Sequence, residues 1–267
     1  MTTATFDEIA AEIGDVGQRL WQIGAAEGAA GNVSVFVHEL AGRHDRFIPH
    51  GLFALPIAAR ALAGGWLIVT GSGQRLRDIA ARPDATLCLL QIQTDGLQAM
   101  LYTGKPLRPT SELNSHLAIH SDHVARRNLG HHAVVHAQPL RLSYLSHIPR
   151  YLEPTVLSQR LLRWQAETIM EFPEGIGALP FEVPGSLEQA TMTAEALRHQ
   201  RAVVWARHGI VTRADSSVGK AGDLVEYAEA AAQYEYLNLQ AGEPTSGLAP
   251  DEIRLIAARL GIEQHIF

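Results

Sequence analysis

Two hydrophobic periodicities alternate along this chain, and their order constrains its fold more than any single residue does. Ile9, Ile13, Val16 and Leu20 lie on one face of a helix opened by Thr5-Phe6-Asp7-Glu8, a capping-box pattern. After the small-residue loop Glu27 to Asn32, the run Val33-Ser34-Val35-Phe36-Val37 alternates as a strand does. Trp66 to Thr70 and Ala85 to Leu90 read as buried strands, the first ended by the tight turn Gly71-Ser72-Gly73. The helical period returns at Leu113, Leu117 and Val124, behind a cap at Thr110 or Ser111 and ahead of a stop at Gly130. Ala133 to Gln138 is a strand whose period of two puts Val134, His136 and Gln138 on one side until Pro139 ends it.

The rest of the chain repeats the alternation. A helix is expected through Leu142, Leu145 and Ile148, signals mix over 155–171, and Ser186-Leu187-Glu188-Gln189 opens a helix to about His199 with a second capping box. The strand Ala202 to Ala206 delivers Arg207-His208-Gly209, and two helices follow, Ser217 to Asn238 and Pro250 to Gly261. Such an order favours helices on both faces of one sheet, and the hairpin-like spacing of the early strands makes that sheet largely antiparallel. No repeat, low-complexity tract or linker divides the chain, so one domain over 1–267 is expected.

Composition removes several function classes. With 46% hydrophobic and 19% charged residues the 267-residue chain can bury a core. A net charge of −6 without a Lys/Arg block argues against nucleic acid as a partner, because phosphate backbones are held by clustered cations. No run of eighteen apolar residues occurs, and Met1 to Thr5 has neither the basic start nor the apolar stretch of a secretory signal, so no membrane association and a cytoplasmic location are expected. The one cysteine, Cys88, falls in an apolar run and reads as a small core residue. Only two lysines exist, and neither Lys105, in a Gly-Pro turn, nor Lys220, in a polar first helical turn, has the apolar setting of a Schiff-base amine.

Thirteen histidines shift attention to metal chemistry. His136 and His208 each end an apolar strand beside a turn, where a rigid sheet exposes side chains to a cleft. Either alone reads as a hydrogen-bonded boundary histidine. With a carboxylate nearby, the pair can hold a divalent cation. Glu112, in the first turn of its helix, reads either as a helix-stabilising charge or as a base that moves a proton beside a carbonyl. The loops Gly31-Asn32, Gly71-Ser72-Gly73 and Thr110-Ser111 offer N–H groups, hydroxyls and a helix N-terminus, the parts of a lysine-free phosphate site.

The order of these pieces has a family resemblance. Gly31-Asn32-Val33-Ser34, Val69 to Gly73, Pro109-Thr110-Ser111-Glu112, Val134 to Gln138, Phe172 to Gly177 and His208-Gly209 resemble the class II aldolase/adducin superfamily in sequence and spacing, from the first helix to the last. Within it, Pro109 to His116 and Phe172 to Gly185 look most like the rhamnulose-1-phosphate aldolase branch. The resemblance implies a three-layer α/β/α fold, a homotetramer with sites between subunits, and a zinc ion that binds dihydroxyacetone phosphate during retro-aldol cleavage of a sugar phosphate, a ketose 1-phosphate. It makes Glu112 the catalytic carboxylate and His136 and His208 two of three zinc ligands. Glu167 becomes a second carboxylate reaching a neighbouring subunit's site, and Gly31, Asn32, Ser72, Gly73, Thr110 and Ser111 the substrate and phosphate contacts.

Two positions depart from that pattern. The family's His-x-His is here His136-Ala137-Gln138, which makes the third ligand an amide oxygen, with His116 and His147 as alternatives. An amide binds zinc less well than imidazole, so weaker zinc affinity or a preference for manganese or magnesium is expected. Ala29 replaces an asparagine that helps hold phosphate. The competing readings are an aldolase or dehydratase for another sugar or sugar acid, and a non-catalytic, adducin-like member.

Overall fold

The computed structural model describes residues 4–42, 47–153 and 155–267; Met1 to Thr3 of the opening stretch lie outside them. In chain order the elements are α1 (Phe6–Gln22), β1 (Asn32–Val37), β2 (Ile48–Ala54), β3 (Trp66–Thr70), α2 (Pro83–Thr86), β4 (Leu87–Ile92) and β5 (Gln98–Thr103). There follow α3 (Leu113–Arg127), β6 (His131–Ala137), α4 (Leu140–Leu145), α5 (Val156–Leu162), α6 (Ala166–Glu171), β7 (Gly177–Leu179), α7 (Leu187–Ala196), β8 (Ala202–Trp205), β9 (Gly209–Ala214), α8 (Val218–Gln240) and α9 (Pro250–Leu260). The strands form one sheet in the order β2-β5-β4-β3-β1-β6-β9-β8-β7, antiparallel throughout except for the parallel β7–β8 pair. No described helix is long and apolar enough to cross a membrane.

The side-chain alternation expected of strands sorts the core into layers. Val33, Val35, Ile68, Leu89, Val135 and Ala137 pack on one face with Ile9, Ile13 and Leu20 of α1 and Leu224, Val225 and Ala228 of α8. Their neighbours Phe36, Leu67, Val69, Cys88 and Leu90 face the other way, against Leu113, Leu117 and Val124 of α3. Val134, Val203, Trp205 and Val211 continue that second face under α3 and α7. The result is the α/β/α layering around a mostly antiparallel sheet. Thr5 closes the capping box with Glu8, and Cys88 lies in the core, where burial pushes its thiol up to about 12.

Several local readings need correction. Ala85 and Thr86 belong to the short helix α2 behind Pro83, so strand β4 starts at Leu87. Helix α3 ends before Gly130, at Asn128, whose left-handed backbone (φ 51°) supplies the stop by bonding Val124 O. Glu112 is the N-cap residue of α3 rather than a first-turn residue, and its side chain makes no cap bond. Ser186 does cap α7, but the side-chain Oε1 of Gln189 accepts from Gly185 N at 2.9 Å instead of closing a box on Ser186. Helix α4 stops at Leu145, before Ile148.

Candidate active site

The cavity that matters lies where β1, β6 and the β8–β9 turn meet the start of α3. Asn32 and His136 face each other across the β1–β6 ladder, so one register fixes both. The β8–β9 connection is a tight turn in which Arg207 adopts a left-handed conformation (φ 61°) and its N–H donates to Ser146 Oγ at 2.8 Å. A non-glycine residue there costs about 1 kcal/mol or more. That turn holds His208 beside His136, with ring centroids 4.7 Å apart. Close strand packing requires Gly209, because a Cβ there would sit 2.2 Å from Ala137 O and 3.1 Å from His136 Cε1.

The second wall comes from loops that pair without being strands. Ser72 N donates to Arg108 O at 2.8 Å and Thr110 N to Thr70 O at 3.0 Å, which sets Thr110-Ser111 beside Ser72-Gly73. Gly31 (φ +80°) passes so near β6 that a Cβ would meet His136 O at 2.9 Å. Together Ala29, Gly31, Asn32, Ser72, Gly73, Thr110, Ser111, Glu112, His136, Gln138 and His208 line one cavity of about 220 Å³. No Lys or Arg is among its lining residues. Glu167 does not line it: this exposed residue sits in the first turn of α6.

Three groups converge in the cavity. Nε2 of His136 lies 3.7 Å from Glu112 Oε2, Nε2 of His208 lies 3.5 Å from Glu112 Oε1, and the ligand atoms of all three residues fall within 4.8 Å of one another. His136 Nδ1 lies 3.0 Å from Ile210 O, a partner that only accepts, so Nδ1 carries the proton and the Nε2 lone pair points inward. That Nε2 is buried and has no hydrogen-bond partner. Gln189 Nε2 stands 3.4 Å from His208 Nδ1, too far to dictate that ring's tautomer. The Trp205 indole packs against both imidazoles, at 4.7 and 5.1 Å between centroids, and is itself anchored by Nε1–H to Thr193 Oγ1 at 2.7 Å.

Electrostatics favour the ionised form of Glu112 and the neutral form of His208, the states a cation needs. Burial pushes the Glu112 carboxyl up, but His136, the Asn32 amide at 2.7 Å, His208 and His116 together hold it below the usual carboxylate value. Burial, reinforced by His136 and opposed by Glu112, brings His208 down to about 4. The Glu112 carboxylate and the lone pair on His136 Nε2 face one another and repel until something positive sits between them.

Of the alternative third ligands, His116 has both ring nitrogens engaged, by Ser34 and Asn32, and His147 is exposed outside the cavity. Gln138 lines the cavity, and among the described residues no side chain bonds its amide. Trp205, Ser34 and Gln189 also touch the site or its histidines, although no sequence motif singles them out as functional. A tryptophan on the His136 side of the sheet and a serine between the valines of β1 were the available signals.

A family model described as Class II Aldolase and Adducin N-terminal domain matches residues 11–236. The chain belongs to that family. It is an aldolase, a carbon–carbon lyase, of a class that uses a divalent metal, and Glu112, His136 and His208 form a set able to hold one. Among curated relatives it is 30% identical over 263 residues to a rhamnulose-1-phosphate aldolase of Listeria welshimeri, covering 94% of this chain and 91% of the relative. A protein of the same name from Bacteroides thetaiotaomicron is 26% identical over 245 residues, covering 91% and 90%. The crystal structure of a sugar-phosphate aldolase from Thermotoga maritima superposes with a TM-score of 0.76 at 30% identity, covering 90% of the aldolase chain described here and 98% of its own.

Proposed function

We propose that this aldolase cleaves a phosphorylated ketose, a ketose 1-phosphate of the rhamnulose 1-phosphate kind, into dihydroxyacetone phosphate and an aldehyde, with a divalent cation held by His136, His208 and the Gln138 amide oxygen. The observation that carries this reading is the buried, unpartnered Nε2 of His136 aimed at the Glu112 carboxylate beside His208. The names of the relatives support the substrate class. Charge balance supports the metal: a phosphate dianion entering a cavity lined by one carboxylate and no cationic side chain needs a positive partner there. When bound, the cation would polarise the ketone and stabilise negative charge developing on its oxygen.

The protein's own groups would supply the rest. Hydroxyls of Ser72, Thr110 and Ser111 with the adjacent backbone N–H groups bind the phosphate, as neutral donors do at turns and helix starts. As the C3–C4 bond breaks, the C4 hydroxyl gives up its proton to the Glu112 carboxylate and becomes the aldehyde; Glu112 then delivers that proton to C3 of the three-carbon fragment, and in the reverse direction the same proton moves back. Glu167, exposed on α6, completes a neighbouring subunit's cavity in a homotetramer. The amide ligand at Gln138 favours zinc held more weakly than by three imidazoles, or manganese or magnesium in its place.

The test joins metal analysis to a coupled assay for dihydroxyacetone phosphate over a panel of phosphorylated and free ketoses. About one divalent ion per chain, turnover of a ketose 1-phosphate, and a Glu112→Gln variant that keeps the ion but loses turnover are expected. Normal turnover in Glu112→Gln would remove its role. A metal-free protein inert on the whole panel would instead favour the non-catalytic reading.

A further inference from the structure

Behind the cavity, a continuous file of buried polar side chains runs between β1, α3 and β6. Asn32 Nδ2 donates to Glu112 Oε2 at 2.7 Å, and Asn32 Oδ1 is in hydrogen-bond contact with His116 Nε2. Ser34 Oγ lies 2.6 Å from His116 Nδ1 and 2.7 Å from His120 Nε2. His120 Nδ1 lies 2.8 Å from His132 Nδ1. Ser34, His120 and His132 are each 0% exposed and His116 is 2% exposed, so no solvent competes for these bonds. The register makes the file possible, because Asn32 and Ser34 share one side of β1 while His116 and His120 are one helical turn apart on α3.

The direction of every bond follows from its first member. An ionised carboxylate only accepts, so the Asn32 amide must present NH2 to Glu112 and its carbonyl to His116. His116 must then carry its proton on Nε2, which leaves Nδ1 to accept from the Ser34 hydroxyl. A hydroxyl has one proton, so Ser34 Oγ accepts from His120 Nε2–H, and the bare His120 Nδ1 accepts from His132 Nδ1–H. Burial supports this neutral state, bringing His116 down to about 4 and His120 and His132 well below the ordinary histidine value. Every donor thus points toward Glu112. At the far end, His132 Nε2 is left without a partner, 3.9 Å from Asp215 Oδ1 on the wall of a second cavity of about 630 Å³.

We propose that this one-way file orients the Glu112 carboxylate, making His116, Ser34, His120 and His132 positioning residues that act through Asn32. The inference rests on Glu112 being the proton-transferring group of the proposed reaction. The file orients and does not conduct, because the Asn32 amide cannot pass a proton from its oxygen to its nitrogen without leaving its stable form. Its effect is to forbid the flip of Asn32. If Ser34 no longer donates to Nδ1, His116 is free to move its proton there. Its Nε2 then accepts from the Asn32 NH2, and the amide carbonyl turns onto the carboxylate, two acceptors in contact.

Histidine tautomers in the 15N-labelled, metal-loaded protein test this directly by long-range 1H–15N correlation. Nε2–H is expected for His116 and His120, and Nδ1–H for His132. In Ser34→Ala, His116 should lose its single tautomer and the Asn32 side-chain amide should exchange faster. The same variant should keep its full metal content and lose about tenfold or more in kcat with KM changed less than about twofold. His132→Asn, whose amide replaces the Nδ1–H donor, should retain the wild-type His116 tautomer, and His132→Ala should not. Nδ1–H at His116 in the wild type would overturn the file. The expected tautomers together with unchanged kcat in Ser34→Ala would overturn its positioning role. The tautomer arm needs no turnover, so failure of the aldolase reading would appear in the assays alone.

Discussion

Acid should unfold this protein through its histidines before its carboxylates are titrated, because four imidazoles lie in the second core layer, where burial outweighs the attraction of Glu112 for His116 and of Asp122 for His123. Burial alone accounts for most of the effect on His116, which falls to about 4, and moves His120 and His132 further in the same direction. In the unfolded chain a histidine titrates near 6.5. Between about 6.5 and 4, therefore, the unfolded state binds protons that the folded state refuses. Stability rises with pH across that window and is lost as pH falls through it. For His116 alone the loss reaches roughly 3 kcal/mol by about pH 4, with a slope near pH 5.5 of about 1.2 kcal/mol per pH unit. His120, His132 and His123 add to it in the same sense, His123 because burial and Arg213 lower it to about 4. Against a total stability of about 5–15 kcal/mol, such a slope is decisive. Urea midpoints measured between about pH 7 and about pH 5 should fall steeply, and His116→Gln should flatten the curve by about 1 kcal/mol per pH unit. A wild-type midpoint that stays level over that range would refute the reasoning, since it would mean that these rings are charged or solvated in the native state.

Gly209→Ala should displace His136, because the new methyl would overlap Ala137 O at 2.2 Å; loss of bound metal with the fold retained by circular dichroism is the expected result. Gln138→His should raise zinc affinity by about tenfold or more, measured by competition with a chromophoric chelator, whereas an unchanged affinity would mean that residue 138 is not a ligand. Saturating metal at about 100 times Kd should stabilise the wild type by about 2.7 kcal/mol in a thermal-shift assay and leave His136→Ala unmoved. Glu235→Gln should cost about 3 kcal/mol, a fall in Tm of roughly 6–12 °C, because this fully buried carboxylate alone joins Arg160 Nε (2.6 Å), Arg163 (3.1 Å), Trp164 Nε1 (3.0 Å) and the Tyr151 hydroxyl.

Much of the architecture was legible as pattern. Helices α1, α8 and α9 declared themselves through caps and one-sided apolar spacing, and β1, β3 and β6 through alternation that the two core layers then used. Strand β2 was not, because its Pro49 and Gly51 argue against a strand, it is exposed along nearly its whole length, and its register breaks between Pro49 and Leu52. An edge strand tolerates proline and needs no apolar face, so it leaves little trace in composition. The boundary errors at Ala85, Ile148 and Gly130 share a cause: local geometry at Pro83 delayed a strand, and at Ser146 and Asn128 it ended a helix earlier than periodicity alone suggests.

Sequence by itself determined which residues could meet: histidines at two strand ends, a carboxylate at a helix start and three small-residue loops, all carrying chemistry suited to a cation and a phosphate. Only the tertiary structure decided that they do meet. His136 and His208 are 72 positions apart in the chain, and what joins them is the antiparallel pairing of β6 with β9 together with a strained turn at Arg207. The same holds for the buried file behind Glu112. Each of its histidines looks unremarkable in the chain, and its direction emerges only when a carboxylate, an amide, a hydroxyl and three rings are packed without water, so that every proton has one place to go.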